Sequence, residues 1–421
     1  MKSKTKIVSI TLIFSAFMIS VSCVPKQEKV EKIIEDGVEV MLNHLEPYKI
    51  KGEPSTFDIE EKFVIDFEKD DITEYEISDI RGFDVDSEGN IYLSSYKGSD
   101  NCIFKFDGKG NFITSFGRKG QGPGELRYAR NLYVNNQDLI QTIASSRHRL
   151  ISYEKDGSLV DEIPLKPDIS RIIPLKTGKF LVSKRTGARE SLYYFRIALF
   201  LYNAEFGETK ELEKVIIPNR ASASYWMASN RNIYVGNDER GYEIWVYDLE
   251  GNLRRKIKKE YESVEIPDEI KEGIKEAYEM LRRQSRRPSK TVEAPAHWPP
   301  FSAFFIDEKE RLYVRSWEKG ENIGESIHDV FNQDGAFIER ISLNIYFSRE
   351  CKYAVVKKNL LYFLREKESG YKELVVSRIK WEKQIKNQLE PKSSKATAFL
   401  YRKKYINELL TYLNLYKSNL P

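Results

Sequence analysis

Residues 86–116 read DSEGNIYLSSYKGSDNCIFKFDGKGNFITSF. A polar turn opens the stretch and an alternating apolar strand follows from Ile91. A second strand leads into an Asp/Gly turn at Asp107, and a third strand ends at Phe116. Period-two alternation bounded by Gly, Asn and Asp is the pattern of short half-buried strands joined by tight turns. The same order recurs downstream. NRNIYVGND begins at Asn230 and leads into EIWVYDLEGNLRRKI; DEKERLYVRSW begins at Asp307 and leads into IHDVFNQDGAFIERI. DLIQTIASSRHRLISYEKDGSLVDEI, from Asp138, is a weaker copy. Two more divergent copies are GKFLVSKRTGARESLYYFRIALFLYNAEFGETKEL and NLLYFLREKESGYKELVVSRI.

Aligning the second strands gives anchors at Ile91, Leu139, Phe180, Ile233, Leu312 and Leu360, with spacings of 48, 41, 53, 79 and 48 residues. Six units of this length, each with four short strands, predict an all-β fold, a six-bladed β-propeller. One such blade cannot bury both its faces, whereas a ring of blades buries them against one another. The last unit shows three strands. KFVIDFE (Lys62–Glu68) is predicted to supply its fourth and to close the ring. The copy containing SLYYFRIALFLYNAEFG is expected to lack the Asp/Gly turn.

The long spacing holds an insertion, at about 266–287 within the segment 266–300. Ile270, Ile274, Ala277, Tyr278 and Leu281 recur at helical spacing, Pro267 suits the first turn, and Pro288 follows the end. The resulting helix is either a lid or partner site, or a helix packed on one face of the ring. A second helical pattern in the tail, 384–421 (Phe399, Ile406, Leu409, Leu410, Leu413), is expected to dock on the domain.

Lys2, Lys4 and Lys6 precede an apolar run from Ile7 to Val21, followed by Ser22 and Cys23. This is the layout of an export signal, and the run is short for a bilayer span. The segment resembles the lipobox of bacterial lipoproteins, with Ser20 where that family prefers Leu. The resemblance implies cleavage after residue 22, lipidation of Cys23, and a membrane-anchored protein facing the periplasm or the cell exterior. Residues 23–36 are expected to be a tether, and 37–383 the propeller.

Loss of residues 1–22 removes three lysines and no acid, taking the formal charge from +4 to +1. A near-neutral chain argues against general nucleic-acid binding. Cys102 and Cys351 are the other cysteines and are expected to remain separate thiols.

The run RGFDVDSEGNIYLSSY…CIFKFDGKGNFITSFGRKGQGPGEL resembles the repeat of NHL-type six-bladed propellers. It is especially similar to bacterial exported 6-bladed β-propeller lipoproteins, whose function is unassigned. The likeness implies the fold rather than an activity. The glycine-rich GRKGQGPGEL (Gly117–Leu126) lacks the order of a phosphate loop and opens no helix. It is predicted to link the rim of the first blade to the channel side of the second.

No catalytic constellation is legible. The four histidines (His44, His148, His297, His328) have no metal-ligand spacing, and no nucleophile elbow occurs. No metal site or cofactor is expected. The loops at one mouth of the channel carry the candidate ligand-binding residues: Arg147, His148, Arg149, Arg185, Arg189, Arg240, His297, Trp298, Arg315 and Trp317. Arginines near aromatics suit an anionic or sugar-acid ligand. The sequence thus predicts a non-catalytic module binding a protein or an anionic glycan, anchored to the lipid bilayer. The alternative is a lyase or hydrolase acting on a carbohydrate or lactone with a channel metal.

Overall fold

The computed structural model describes residues 30–382, apart from 51–52, 55, 98–99, 145–147, 188–193, 219–223, 285–292 and 348–352. Six sheets, each with four antiparallel blade strands, form a six-bladed β-propeller. Blade 1 spans Ser78–Arg118, blade 2 Ala129–Pro164, blade 3 Ile169–Pro218, blade 4 Ser224–Lys259 and blade 5 Ala303–Leu343. Blade 6 takes three strands from Ala354–Glu382 and its outer strand from Thr56–Asp66. The predicted ring closure is therefore present. The closing strand is longer and starts earlier than Lys62, pairing from Glu373↔Asp66 to Glu382↔Thr56.

Apolar clusters fill the interfaces between neighbouring blades. Tyr92, Phe116 and Cys102 of blade 1 pack on Leu132, Ile151 and Tyr153 of blade 2. Ile65, Leu364 and Val376 of blade 6 pack on Phe83, Leu93 and Phe104 of blade 1, so the ring's join is as apolar as its other seams.

Polar turns repeat with the strands. Asp86, fully buried, accepts hydrogen bonds from the backbone of Glu88, Gly89 and Asn90, and from the Tyr92 hydroxyl at 3.1 Å. Asp307 does the same for Lys309, Arg311 and the Tyr313 hydroxyl. Blade 4 has Ser229 at the corresponding turn and no carboxylate of its own. Glu310 of blade 5 reaches across instead, and its Oε2 accepts from Ser229 Oγ, Asn232 Nδ2 and Tyr234 OH at 2.8, 3.0 and 3.1 Å.

Two expectations need correction. Blade 3 does have the second turn. Asn203 Oδ1 accepts from Gly207 N at 2.6 Å, and Phe206 takes the positive φ (61°) that glycine takes elsewhere. The tether also ends before residue 36. Glu31–Glu35 and Val38–Asn43 form a hairpin around Gly37 that joins the outer edge of blade 4, with Val38–Asn43 parallel to Leu253–Lys259. Glu35 pairs with Lys256 and Lys258 across this seam. The edge is polar and the added strand parallel, so the alternation seen in the repeats does not mark it.

The insertion helix spans Asp268–Gln284. The Pro267 carbonyl accepts from Ile270 and Lys271, which places Pro267 at the cap rather than inside the first turn. Ile270 and Ile274 are buried, as the helical spacing implies, and the side chains of Ala277, Tyr278 and Leu281 lie outside the described ones. The signal and Cys23, Cys351 and the 384–421 tail lie outside the described residues. Cys102 is a buried free thiol, and burial pushes its pKa up to about 11.

Candidate functional site

The insertion leaves blade 4 after Lys259 and is closed at its base. Ile266 N donates to Ala296 O (2.9 Å) and Trp298 N to Val264 O (2.8 Å), flanking a bridge between Glu265 and His297. This closure lays Trp298 flat on Trp317, with ring centroids 4.0 Å apart and planes within 7°. Trp317 follows the point where the second strand of blade 5 leaves register after Arg315. The Arg315 guanidinium lies 5.6 Å from the Trp317 ring and 5.3 Å from Phe347. It donates to Ser302 Oγ (2.7 Å) and Ser326 Oγ (3.0 Å). Three sequence-predicted residues, Trp298, Arg315 and Trp317, are thus brought together. The Trp317 indole N–H is buried and has no acceptor among the described residues.

Beside the stack opens a cleft of about 160 Å3 between blades 4 and 5, floored by Tyr242, Lys259, Asp329 and Arg340. The buried Asp329 carboxylate organises it. Its Oδ2 accepts from the Tyr242 hydroxyl (2.8 Å) and lies 3.6 Å from Lys259 Nζ. Its Oδ1 lies 3.2 Å from Arg340 Nε, but the two are misaligned for a hydrogen bond, so that contact is a Coulombic one. Arg340 also pairs with Glu318. Burial holds the Lys259 ammonium below the ordinary lysine pKa, with Asp329 opposing. Burial, then the Asp329 charge, raises the Tyr242 phenol well above its usual value, so it remains a donor. Glu46, Glu262 and Glu318 join Asp329 on the walls, giving four acids against two cations.

The other predicted residues do not converge here. Arg149 pairs with Glu162, whose other oxygen accepts from Gly124 N at 2.6 Å, so this pair fastens the linker between blades 1 and 2. His148 sits in a turn at φ 49°, its carbonyl bound by Leu165 N. Arg240 stacks on Trp245 at 4.0 Å and pairs with Glu213. Arg185 is exposed at the end of its strand, and His297 is exposed at the insertion's base. Arg147 and Arg189 lie outside the described residues.

GRKGQGPGEL connects blade 1 to blade 2 as predicted, and its own anion fills the glycine-rich cradle. Glu125 Oε2 accepts from Gly122 N at 2.7 Å, and a Cβ on Gly120 would sit 2.0 Å from that oxygen.

Sequence reasoning missed the cleft floor. Its four residues come from four separate strands or turns. One signal was present: Asp329 interrupts the apolar run of IHDVF at a position that proves fully buried. Among the described residues no three His, Cys, Asp or Glu side chains cluster in a way that could hold a metal. A channel metal therefore has no ligand set among them.

A family described as a 6-bladed beta-propeller matches residues 68–220. Among solved structures the chain is similar to a Bacteroides fragilis NCTC 9343 protein assumed to be exported, at 13% identity and TM-score 0.50, covering 81% of this chain and 99% of that one. It is also similar to virginiamycin B lyase from Staphylococcus aureus (10% identity, TM-score 0.40, 76% and 99%). A third likeness is to a gluconolactonase from Xanthomonas campestris (10%, 0.38, 77% and 97%). No curated protein matches the chain.

Proposed function

We propose that the protein is an exported, lipid-anchored binding module that takes a neutral, hydroxyl-rich ligand in the cleft between blades 4 and 5. The observation that carries this reading is the Trp298–Trp317 stack beside the buried Tyr242–Asp329–Lys259 network. The outer face of an indole can cover the apolar face of a sugar, and a carboxylate, phenol and ammonium together offer an acceptor and donors for its hydroxyls. The surplus of acids favours a neutral glycan over the anionic one that the loop arginines suggested. Both floor cations already face acids.

Calorimetric titration of the full chain with neutral and acidic oligosaccharides tests the reading. Saturable binding of a neutral member, weakened at least tenfold in Trp317→Ala, is expected. Binding of acidic members alone would overturn the ligand class.

Export and anchoring rest on the lipobox-like Ser20-Val21-Ser22-Cys23, and the Bacteroides fragilis likeness is in keeping with export. The chain enters the fold at Glu31 beside Leu42, at the end of blade 4 from which Leu45 and Glu46 reach the cleft. The chain from Cys23 to Val30 reaches at most roughly 25 Å. A lipidated Cys23 would keep the cleft's face near the bilayer. Cys23→Ala should abolish incorporation of radioactive palmitate; undiminished labelling refutes lipidation there.

A second reading, a lyase or hydrolase for a carbohydrate or lactone, draws on Lys259, whose lowered pKa suits acid–base chemistry. Turnover of such substrates, lost in Lys259→Met, would favour it over simple binding.

A further inference from the structure

Away from the cleft, the inner strand of blade 3 (Ile169–Pro174) carries Arg171 where its register slips between Ile169 and Arg171. The side chain reaches both neighbouring inner strands. Its Nε donates to the Tyr133 hydroxyl of blade 2 at 2.9 Å. Its guanidinium carbon lies 5.8 Å from the Tyr225 ring and 5.9 Å from the Trp226 ring of blade 4. Three consecutive blades thus meet on one cation at the channel wall.

Among the described residues that cation has no counter-charge. Arg149, Arg240, Arg255, Arg311, Arg340 and Arg365 each face a carboxylate within ion-pair distance. Among the described residues Arg171 faces none, and the groups acting on it are tyrosine hydroxyls. A guanidinium does not shed its proton in proteins, and a charge held among aromatic rings requires a compensating partner. Arg171 is only half-buried, so a small solute can reach it. A second, independent donor stands next to it. Trp226 is 7% exposed, and its indole N–H is buried with no acceptor among the described residues. Burial raises the Tyr225 phenol, so it too stays protonated. Guanidinium and indole are donors, the Tyr225 phenol accepts from Arg171 and keeps its own proton to donate, and no acceptor carrying negative charge stands among the described residues.

We propose that this point in the channel binds a small oxyanion, a carboxylate or a phosphate, held by Arg171 with Trp226 and Tyr225 around it. Charge-assisted hydrogen bonds from a guanidinium are the strong ones, and with five N–H donors Arg171 has more than the Tyr133 and Tyr225 hydroxyls take up. The site is separate from the cleft and would stand if the glycan reading failed.

The experiment is a thermal melt of the full chain against inorganic phosphate and against acetate, with chloride holding ionic strength constant. A saturable rise in Tm is expected with at least one of them. A rise with phosphate alone assigns a tetrahedral anion, and a rise with acetate alone a carboxylate. Arg171→Met should melt cooperatively and lose the rise. Trp226→Phe, which removes the indole N–H while keeping a ring, should weaken the apparent affinity several-fold even if the arginine variant fails to fold. Trp317→Ala should leave the rise intact. A wild-type melt indifferent to both anions, or an equal rise in Arg171→Met or Trp226→Phe, overturns the proposal.

Discussion

His328 shows what single residues contribute. It is fully buried, with Nδ1 2.9 Å from the Ser326 carbonyl and Nε2 2.7 Å from the Tyr353 hydroxyl. This arrangement fixes the neutral tautomer, with Nδ1–H donating to the carbonyl and Nε2 accepting from the tyrosine. Burial, then the Arg315 charge, lowers its pKa to about 3. In the unfolded chain a histidine titrates near 6.5. Between those values the unfolded state binds the extra proton, so stability is fully present above about 6.5 and falls as pH drops toward 3. Urea melts between pH 7.5 and 4 should show this slope, and His328→Gln, which retains an acceptor, should flatten it. Identical slopes would contradict the assignment. His328 was legible only as a histidine without metal-ligand spacing. Its structural role depends on Tyr353, a residue of the next blade that no local pattern links to it.

At the scale of turns and strands, the repeat carried most of the fold. All six second-strand anchors fall at or within a residue of the start of the second strand of a blade, because a tight polar turn and the alternation after it are local chemistry. Where partners come from elsewhere, the pattern fails. Glu310 completes the turn of blade 4 across a blade boundary, and the hairpin at Glu31–Asn43 pairs with a strand more than two hundred residues away. The turns can be tested by size of effect. Asp86→Ala strips a buried carboxylate from three backbone N–H groups and the Tyr92 hydroxyl. It should cost about 2–4 kcal/mol in urea unfolding. Glu310→Ala should destabilise too, by unpairing Tyr234, although Tyr234 and Glu310 belong to different blades. A neutral effect of Glu310→Ala would show that the shared turn contributes nothing to holding blades 4 and 5 together.

At the scale of the whole molecule, the ring is closed by Thr56–Asp66, and the cleft lies where the insertion folds back over blade 5. Trp298 and Trp317 were legible in the sequence as candidates because both read as loop positions at one mouth, although Trp317 lies within the strand Leu312–Lys319. Lys259, Asp329 and Arg340 were not, because burial converts ordinary strand charges into a site only once blades 4 and 5 are packed. The account stands on that cleft holding a ligand. Calorimetric titration of neutral oligosaccharides into wild type and Trp317→Ala measures this most directly. Saturable binding to wild type, at least tenfold weaker in a variant that still melts cooperatively, is the predicted result. Wild type that binds none of the panel, or Trp317→Ala that binds as tightly as wild type, would contradict it.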